Sequence, residues 1–304
     1  MSFVVTIVAA SLVVIMSEEL ILGHISRHDI RLPDIRMLNE EYRLPYIERF
    51  LSRRLSQDKR YIIILGDSQF YGADFPEDQI FSGLLQSKVS KDGYEVINLA
   101  MTDGRAIDMS KIIGVIGKLN IKVSHYIYNF DLAHYSKIYE KDFGRLSSYK
   151  KLPAISFFYA HTMVINYLKK ILSFTIFQKA EPKLKMEIEN AGRYDTDHER
   201  NDHNFAKLVQ DMRSNCQNPM IVFSPHCQEC FQYSHFDATL FTHDIIFYGN
   251  LARKQGVPPI DLTFSFEKNN FIDIIHLNLK GHLALSNVLS DHINQTKNNL
   301  GAIK

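Results

Sequence analysis

The chain has 304 residues, of which 45% are hydrophobic and 23% are charged, so it can bury a full core and is not a disordered protein. Its 35 lysines and arginines balance 34 aspartates and glutamates, and no basic stripe with interleaved aromatic residues stands out, which argues against a nucleic-acid partner. The length allows one large domain or two ordinary ones.

The N-terminal segment is the most apolar part of the chain. Residues 3–16 carry no charge, and the apolar character continues to residue 22. A bilayer-crossing helix needs roughly 20 mostly apolar residues, so this length also suits a signal-peptide core or a buried helix. We predict an apolar helix in residues 1–23 that serves as a membrane anchor or signal segment. Arginines follow it, and the positive-inside rule taken literally would keep the next domain cytoplasmic.

A polar connector, residues 24–58, leads into the first predicted strand and includes a short helix at about 46–55. The strand, residues 61–65, is a run of apolar residues rich in Ile, which is typical of a strand buried on both faces of a parallel sheet. The sequence "GDS", Gly66 to Ser68, follows directly. Taken alone it has two interpretations: Asp67 and Ser68 cap a helix, or Ser68 is a nucleophile beside a helix N-terminus.

Helix-length and strand-length segments then alternate along the chain. Helices are predicted at about 79–90, 106–119, 204–214, 242–255 and 280–294, and strands at 94–99, 126–130 and 220–223. Strands separated by helices indicate βαβ units, so we predict an α/β domain over residues 59–304 with a parallel sheet that helices cover on both sides.

An insertion at about 150–203 interrupts this alternation. Residues 155–177 are strongly apolar, but Lys169 and Lys170 near the middle argue against a second membrane span. We predict instead a helix that packs on the domain or lies along a membrane surface. Residues 179–203 are polar and highly charged, which indicates an exposed and mobile segment.

The chain has three cysteines: Cys216, Cys227 and Cys230. An odd number excludes a fully paired intrachain framework. The Cys-x-x-Cys pair with neighbouring His226 and His235 is compatible with a zinc site, although the spacing fits no known zinc module. A local disulfide and ordinary free thiols are the other interpretations, and all three remain open at this stage.

Near the C-terminus, "FIDIIHLNLKGH" places Asp273 and His276 three residues apart. On a turn or at the entry to a helix, side chains with this spacing fall on one side and can touch. A serine hydroxyl becomes a nucleophile when an imidazole takes its proton and a carboxylate orients that imidazole. Asp-x-x-His alone is a weak signal and favours ordinary helix-start chemistry, so a catalytic interpretation depends on the "GDS" segment.

Together these segments resemble the conserved blocks of the SGNH (GDSL) hydrolase family. "GDSQFYGADFPEDQIFSGLL" is similar to the opening block, "VINLAMTDGRA" to the second and "DIIHLNLKGHLAL" to the closing block, and the resemblance spans residues 61–293. It implies a flavodoxin-like, three-layer α/β/α sandwich with a central parallel sheet. It also implies a catalytic triad of Ser68, His276 and Asp273, with no metal or cofactor.

The family's oxyanion donors match less well. The second-block glycine usually falls where Asp103 stands here, and Gly104 comes one residue later. The third block usually reads G-x-N-D, whereas "YNFDLAH" has Asn129 one place early and Phe130 at the aligned position. The resemblance implies that Gly104 and Asn129 donate to the oxyanion. If Asn129 points away, the backbone N–H groups of Ser68 and Gly104 are left to form the hole.

The resemblance implies an esterase or an O-acyltransferase. Together with the apolar N-terminus, the resemblance leads us to expect an acylated carbohydrate or lipid of the bacterial cell envelope as substrate. We expect envelope biosynthesis proteins as partners. We also expect a membrane-anchored protein whose domain is extracytoplasmic, against the literal positive-inside rule. The main alternative is a scaffold or binding protein that keeps the fold but has a degenerate site. A third is a zinc-dependent hydrolase using His276, His282 and the cysteines, which lacks a carboxylate–histidine motif on a helix.

Overall fold

The computed structural model describes residues 43–72, 75–101, 104–132, 198–233 and 238–301, together with Met16. The predicted anchor at 1–23, the first part of the connector and residues 150–197 of the insertion lie outside these ranges. Among the described residues, no helix combines the length and the apolar character that a membrane span requires.

The described strands form one five-stranded parallel sheet in the order β2–β1–β3–β4–β5. The strands are β1 (Arg60–Leu65), β2 (Tyr94–Asn98), β3 (Val123–Phe130), β4 (Cys216–Phe223) and β5 (Ile260–Asp261). Every residue of β1 after Arg60 is buried, as expected for a central strand that helices cover on both faces.

Helices pack on both faces of the sheet. They are α1 (Arg43–Arg54), α2 (Ser68–Tyr71), α3 (Phe81–Val89), α4 (Ala106–Lys118), α5 (His198–Asn215), α6 (Ala238–Lys254) and α7 (Leu279–Gly301). Helices α1, α4, α5 and α6 bury one apolar cluster against the sheet, and α3 and α7 bury another on the opposite face. This arrangement confirms the predicted three-layer α/β/α sandwich.

Strand β1 shows why one apolar run serves both layers. Successive side chains of a strand point to opposite faces. Ile63 and Leu65 therefore join the cluster under α4, whereas Ile62 and Ile64 join the cluster under α7. A strand that faced solvent on one side would have needed polar residues at alternate positions.

Three features differ from the sequence prediction. The prediction missed β5, because a two-residue strand of a half-buried Ile260 and an exposed Asp261 has no apolar run. It also began β4 at residue 220, because only the last four residues of that strand, from Met220 onward, are fully buried. Helix α5 begins at His198, within the segment predicted to be mobile.

The strand order places the site. Strand β2 lies on one side of β1 and β3 on the other, so the order reverses between β1 and β3. In open parallel sheets, ligands bind outside the carboxyl ends of the strands at such a switch point. Ser68 follows β1 at this edge, and the loop after β5 carries Asp273 and His276 toward it.

Candidate active site

The turn that carries Ser68 has no room for a side chain at Gly66. Gly66 has a φ of 142°, and a Cβ atom there would lie 1.4 Å from the side-chain oxygen of Asn129. Asp67 then caps the short helix α2, because its Oδ1 accepts a hydrogen bond of 2.9 Å from the Gln69 N–H. The capping role thus belongs to Asp67, and the Ser68 side chain is left for another partner.

The turn that carries the other two residues is organised around Asp273. Its Oδ1 accepts hydrogen bonds from the backbone N–H groups of Ile275, at 2.9 Å, and His276, at 2.7 Å. Its Oδ2 lies 2.6 Å from His276 Nδ1. The Ile272 N–H donates to the His276 carbonyl at 2.8 Å and closes the turn. One carboxylate therefore shapes the turn and orients the imidazole.

The structure brings Ser68 and His276 together although 208 residues separate them in the chain. His276 Nε2 lies 3.1 Å from Ser68 Oγ. With Nδ1–H donating to Asp273, Nε2 accepts the hydrogen bond from the Ser68 hydroxyl. The Asp273 and His276 side chains keep 33% and 32% of their surface exposed, so solvent reaches the triad. The catalytic role of these residues stays a prediction.

The environment of Asp273 favours its ionised form. Burial by itself raises the pKa of this carboxyl, but the hydrogen bonds and charge of His276 and the backbone N–H groups of the turn outweigh burial and lower the pKa below its usual value. A carboxylate that stays charged can stabilise the imidazolium that forms when His276 takes a proton.

The Asn129 amide is held by Asp67 and Ser224 in this structure, and its oxyanion role stays a prediction. Its Oδ1 accepts from the Asp67 N–H at 2.8 Å, and its Nδ2 donates to Asp67 Oδ1 at 2.8 Å and to Ser224 Oγ at 3.2 Å. Both amide hydrogens are used, and the residue is only 1% exposed. Asn129 therefore braces the nucleophile turn from β3.

The Gly104 N–H is also committed, because it donates to the Met101 carbonyl at 2.9 Å. A Cβ atom at Gly104 would lie 2.3 Å from the Gly66 carbonyl oxygen, so the glycine allows the backbone to pass close to the nucleophile turn. The oxyanion role of Gly104 likewise stays a prediction. In the described part of the chain, nothing accepts a hydrogen bond from the Ser68 N–H, which leaves that group as the candidate oxyanion donor.

A buried polar network under the site was not predicted. Gln69, next to Ser68, donates from Nε2 to Asp131 Oδ2 at 3.0 Å. His226 Nε2 lies 3.9 Å from Asp131 Oδ1, and His226 Nδ1 lies 2.7 Å from the Ser224 carbonyl oxygen. All four residues are at most 3% exposed. The available signal was that Asp131 follows the carboxyl end of β3, and Ser224 and His226 follow that of β4.

The environment of His226 favours its neutral form. Burial lowers the pKa of His226, and the opposing effects of Asp131 and the Ser224 carbonyl do not restore it. With its Nδ1–H donating to Ser224, the ring presents Nε2 on the side of Asp131.

The cysteines resolve into one disulfide, Cys227–Cys230, and one free thiol, Cys216, at the start of β4. Within the described ranges, no group of three or more His, Cys, Asp or Glu side chains is arranged to hold a metal ion. His282, which the zinc alternative required, is buried between the rings of Phe75 and Phe81.

No protein-family model and no curated protein sequence matches this chain. Among solved structures, it is similar to the acetyl xylan esterase AlAXEase, with 13% identity, a TM-score of 0.45, and coverage of 77% of this chain and 99% of that one. It is also similar to TesA, with 12% identity, a TM-score of 0.44, and coverage of 75% and 94%.

A third similar structure is a lipolytic protein of the G-D-S-L family from Desulfitobacterium hafniense, with 10% identity, a TM-score of 0.43, and coverage of 76% and 98%. At such low identities, the similarity assigns no chemistry to this chain.

Proposed function

We propose that this chain is a serine-dependent enzyme that breaks ester bonds through an acyl-enzyme on Ser68. The observation that carries the proposal is the continuous line of hydrogen bonds from Asp273 through His276 to Ser68. No metal or cofactor is needed for this chemistry, because the line supplies a nucleophile, a general base and a group that orients the base.

The reaction has two balanced halves. Ser68 Oγ attacks the ester carbonyl carbon while His276 Nε2 takes the hydroxyl proton, and the same proton then goes to the leaving alkoxide as its C–O bond breaks. In the second half, an acceptor hydroxyl gives its proton to His276 and attacks the acyl carbon. The bond between that carbon and Ser68 Oγ then breaks, and His276 returns the proton to Ser68 Oγ. Asp273 stays ionised throughout and stabilises the imidazolium.

The negative charge that develops on the carbonyl oxygen needs a hydrogen-bond donor in both halves of the reaction. The Ser68 N–H at the start of α2 is positioned beside the reacting hydroxyl, so it is the donor that we assign. Asn129 and Gly104 donate to other partners in this structure, so a non-reacting donor group of the substrate or of the acceptor would complete the hole.

For the substrate, we infer an acylated carbohydrate or lipid of the bacterial cell envelope, in a membrane-anchored protein whose domain is extracytoplasmic. The apolar segment at residues 1–23 supports the anchor. The Cys227–Cys230 disulfide supports the location, because disulfides persist in oxidising compartments and are rare in the cytosol. Water as acceptor makes the protein an esterase, and a sugar hydroxyl makes it an O-acyltransferase.

The test compares the wild type with Ser68→Ala, using release of acetate from a nitrophenyl ester with and without a glycan acceptor. We expect Ser68→Ala to lose turnover and to lose labelling by a fluorophosphonate probe. Equal rates for the two proteins would contradict the role of Ser68. Turnover that rises with the glycan acceptor would favour transfer over hydrolysis.

The second candidate is a non-catalytic scaffold or binding protein of the envelope. It is favoured by one observation, that Asn129 and Gly104 direct their N–H groups into the protein instead of toward Ser68. The probe separates the two functions. Labelling that His276→Ala abolishes supports the enzyme, whereas a wild type that is never labelled supports the scaffold.

A further inference from the structure

The loop after β4 connects the two halves of the site. At its start, Ser224 Oγ accepts a hydrogen bond from Asn129, which braces the turn of the nucleophile. Three residues later, the Cys227 N–H donates to the Ile274 carbonyl at 2.8 Å, inside the turn that carries Asp273 and His276. The loop is therefore in contact with the Ser68 side and with the His276 side.

The loop after β4 holds the loop after β5 through two consecutive backbone N–H groups. The His226 N–H donates to the Thr263 carbonyl at 2.8 Å, at the beginning of that loop. The next N–H, from Cys227, donates to Ile274 in the turn that carries Asp273 and His276, which we call the acid–base turn. Two consecutive amides thus hold two segments of the same loop that are eleven positions apart, Thr263 and Ile274. A shift of Cys227 would be transmitted to His276, which lies two residues from Ile274.

The disulfide lies at this contact. Cys227 and Cys230 are 0% and 3% exposed, and they belong to the same apolar cluster as Phe271 and Leu277. Phe271 and Leu277 pair as an antiparallel bridge at the base of the acid–base turn. The sulfur atoms therefore pack in the cluster that supports that turn, and the Cys230 N–H also donates to the Cys227 carbonyl at 2.9 Å.

We propose that the Cys227–Cys230 disulfide is a positioning device for His276, so that the enzyme works fully only with this bond oxidised. The proposal rests on the proposed function. The disulfide closes the loop around Cys227 and so keeps the Cys227 N–H on the Ile274 carbonyl. This contact in turn holds the His276 imidazole within reach of Ser68. A dithiol that reduces it supplies two electrons and two protons, leaves two protein thiols and becomes a disulfide itself.

A local role follows from the short separation of the two cysteines. A disulfide restricts the unfolded chain less when it closes a short loop, and this one joins residues only three positions apart. Its effect is therefore expected mainly on the geometry of the loop. Cys216 is the first residue of β4, at the end of the strand opposite to this loop, and provides a matched control.

The experiment uses the full chain with Cys227→Ser/Cys230→Ser and with Cys216→Ser. In the folded double variant, we expect kcat for a nitrophenyl ester and the rate of fluorophosphonate labelling to fall about tenfold or more, because small displacements of a catalytic group are costly, with KM nearly unchanged. We expect dithiothreitol to slow the wild type and Cys216→Ser equally, with reduction verified by mass spectrometry, and not to slow the double variant further.

Amide hydrogen exchange gives a readout that does not depend on activity. We expect faster exchange in residues 271–277 of the double variant, and unchanged exchange in β1 and β3. This result would support the positioning role even if the wild type proved unreactive, in which case only the proposed function would fail. Unchanged kcat and unchanged exchange in a folded double variant would overturn the inference, and so would a double variant that fails to fold, because the bond would then act on the whole domain.

Discussion

Asn129 and Asp67 are joined by a pair of hydrogen bonds that uses the backbone of one and the side chains of both. The Asp67 N–H donates to Asn129 Oδ1, and Asn129 Nδ2 donates to Asp67 Oδ1, each at 2.8 Å. This pair ties the end of β3 to the residue immediately before Ser68. Ser68 is therefore positioned by a buried amide on a neighbouring strand, and not only by its own turn.

Replacing the Asn129 side chain is expected mainly to lower the free energy of unfolding, and not to remove a donor to the oxyanion. Asn129→Ala leaves the buried Asp67 N–H without the Asn129 oxygen, and we expect the free energy of unfolding to fall by about 1–3 kcal/mol in urea denaturation. Asn250→Ala, at an exposed position on α6, is the control and should change it by less than about 0.5 kcal/mol. If Asn129 held an oxyanion instead, kcat would fall about 100- to 1000-fold with stability unchanged.

Gly66→Ala is expected to prevent folding of the native site. The φ of 142° disfavours any residue with a Cβ atom, and that atom would collide with the side chain of Asn129. At Gly114, in the middle of α4, an added Cβ atom would meet no neighbouring atom within 4 Å, so Gly114→Ala should stabilise the protein by about 0.5–1 kcal/mol. Circular dichroism and thermal denaturation of both variants measure this contrast, and a folded, fully active Gly66→Ala would contradict it.

Asp273→Asn keeps the size of the side chain but removes its charge. An amide cannot stabilise the imidazolium and favours the wrong His276 tautomer, so we expect kcat to fall about 1000- to 10,000-fold, with a smaller effect on KM. Asp211→Asn, which removes a carboxylate that pairs with Lys207 on α5, is the control. A nitrophenyl ester assay measures both variants, and a loss of less than tenfold in Asp273→Asn would show that this carboxylate does not orient the base.

His125 is expected to make stability depend on pH. It is 2% exposed, neither ring nitrogen has a hydrogen-bond partner in the described residues, and burial lowers the pKa of His125 to about 4. Between about pH 6.5 and pH 4, the unfolded chain binds a proton that the folded protein does not, so stability falls as the pH falls.

From this side chain alone, the free energy of unfolding should fall by about 2 kcal/mol between pH 7 and pH 5. In His125→Leu, that part of the loss should disappear. Urea denaturation at several pH values measures the difference, and identical pH profiles for the two proteins would contradict this account of His125.

The sequence alone was sufficient for the parts of the fold that depend on local patterns. The apolar run of β1 and the alternation of strand-length and helix-length segments predicted the parallel sheet with helices on both faces. Asp273 and His276 were also readable locally, because a spacing of three residues brings two side chains to one side of a turn. Two side chains three positions apart meet because the local backbone conformation alone brings them to the same side.

The tertiary structure alone decided which groups meet across the sheet. Ser68 and His276 come within 3.1 Å only because β1 and the loop after β5 end at the same edge. The direction of the Asn129 amide depends on Asp67, and β5 depends on a ladder with β4 and not on its own residues. A buried polar group turns toward whichever partner non-consecutive segments supply, since leaving it unpaired is costly.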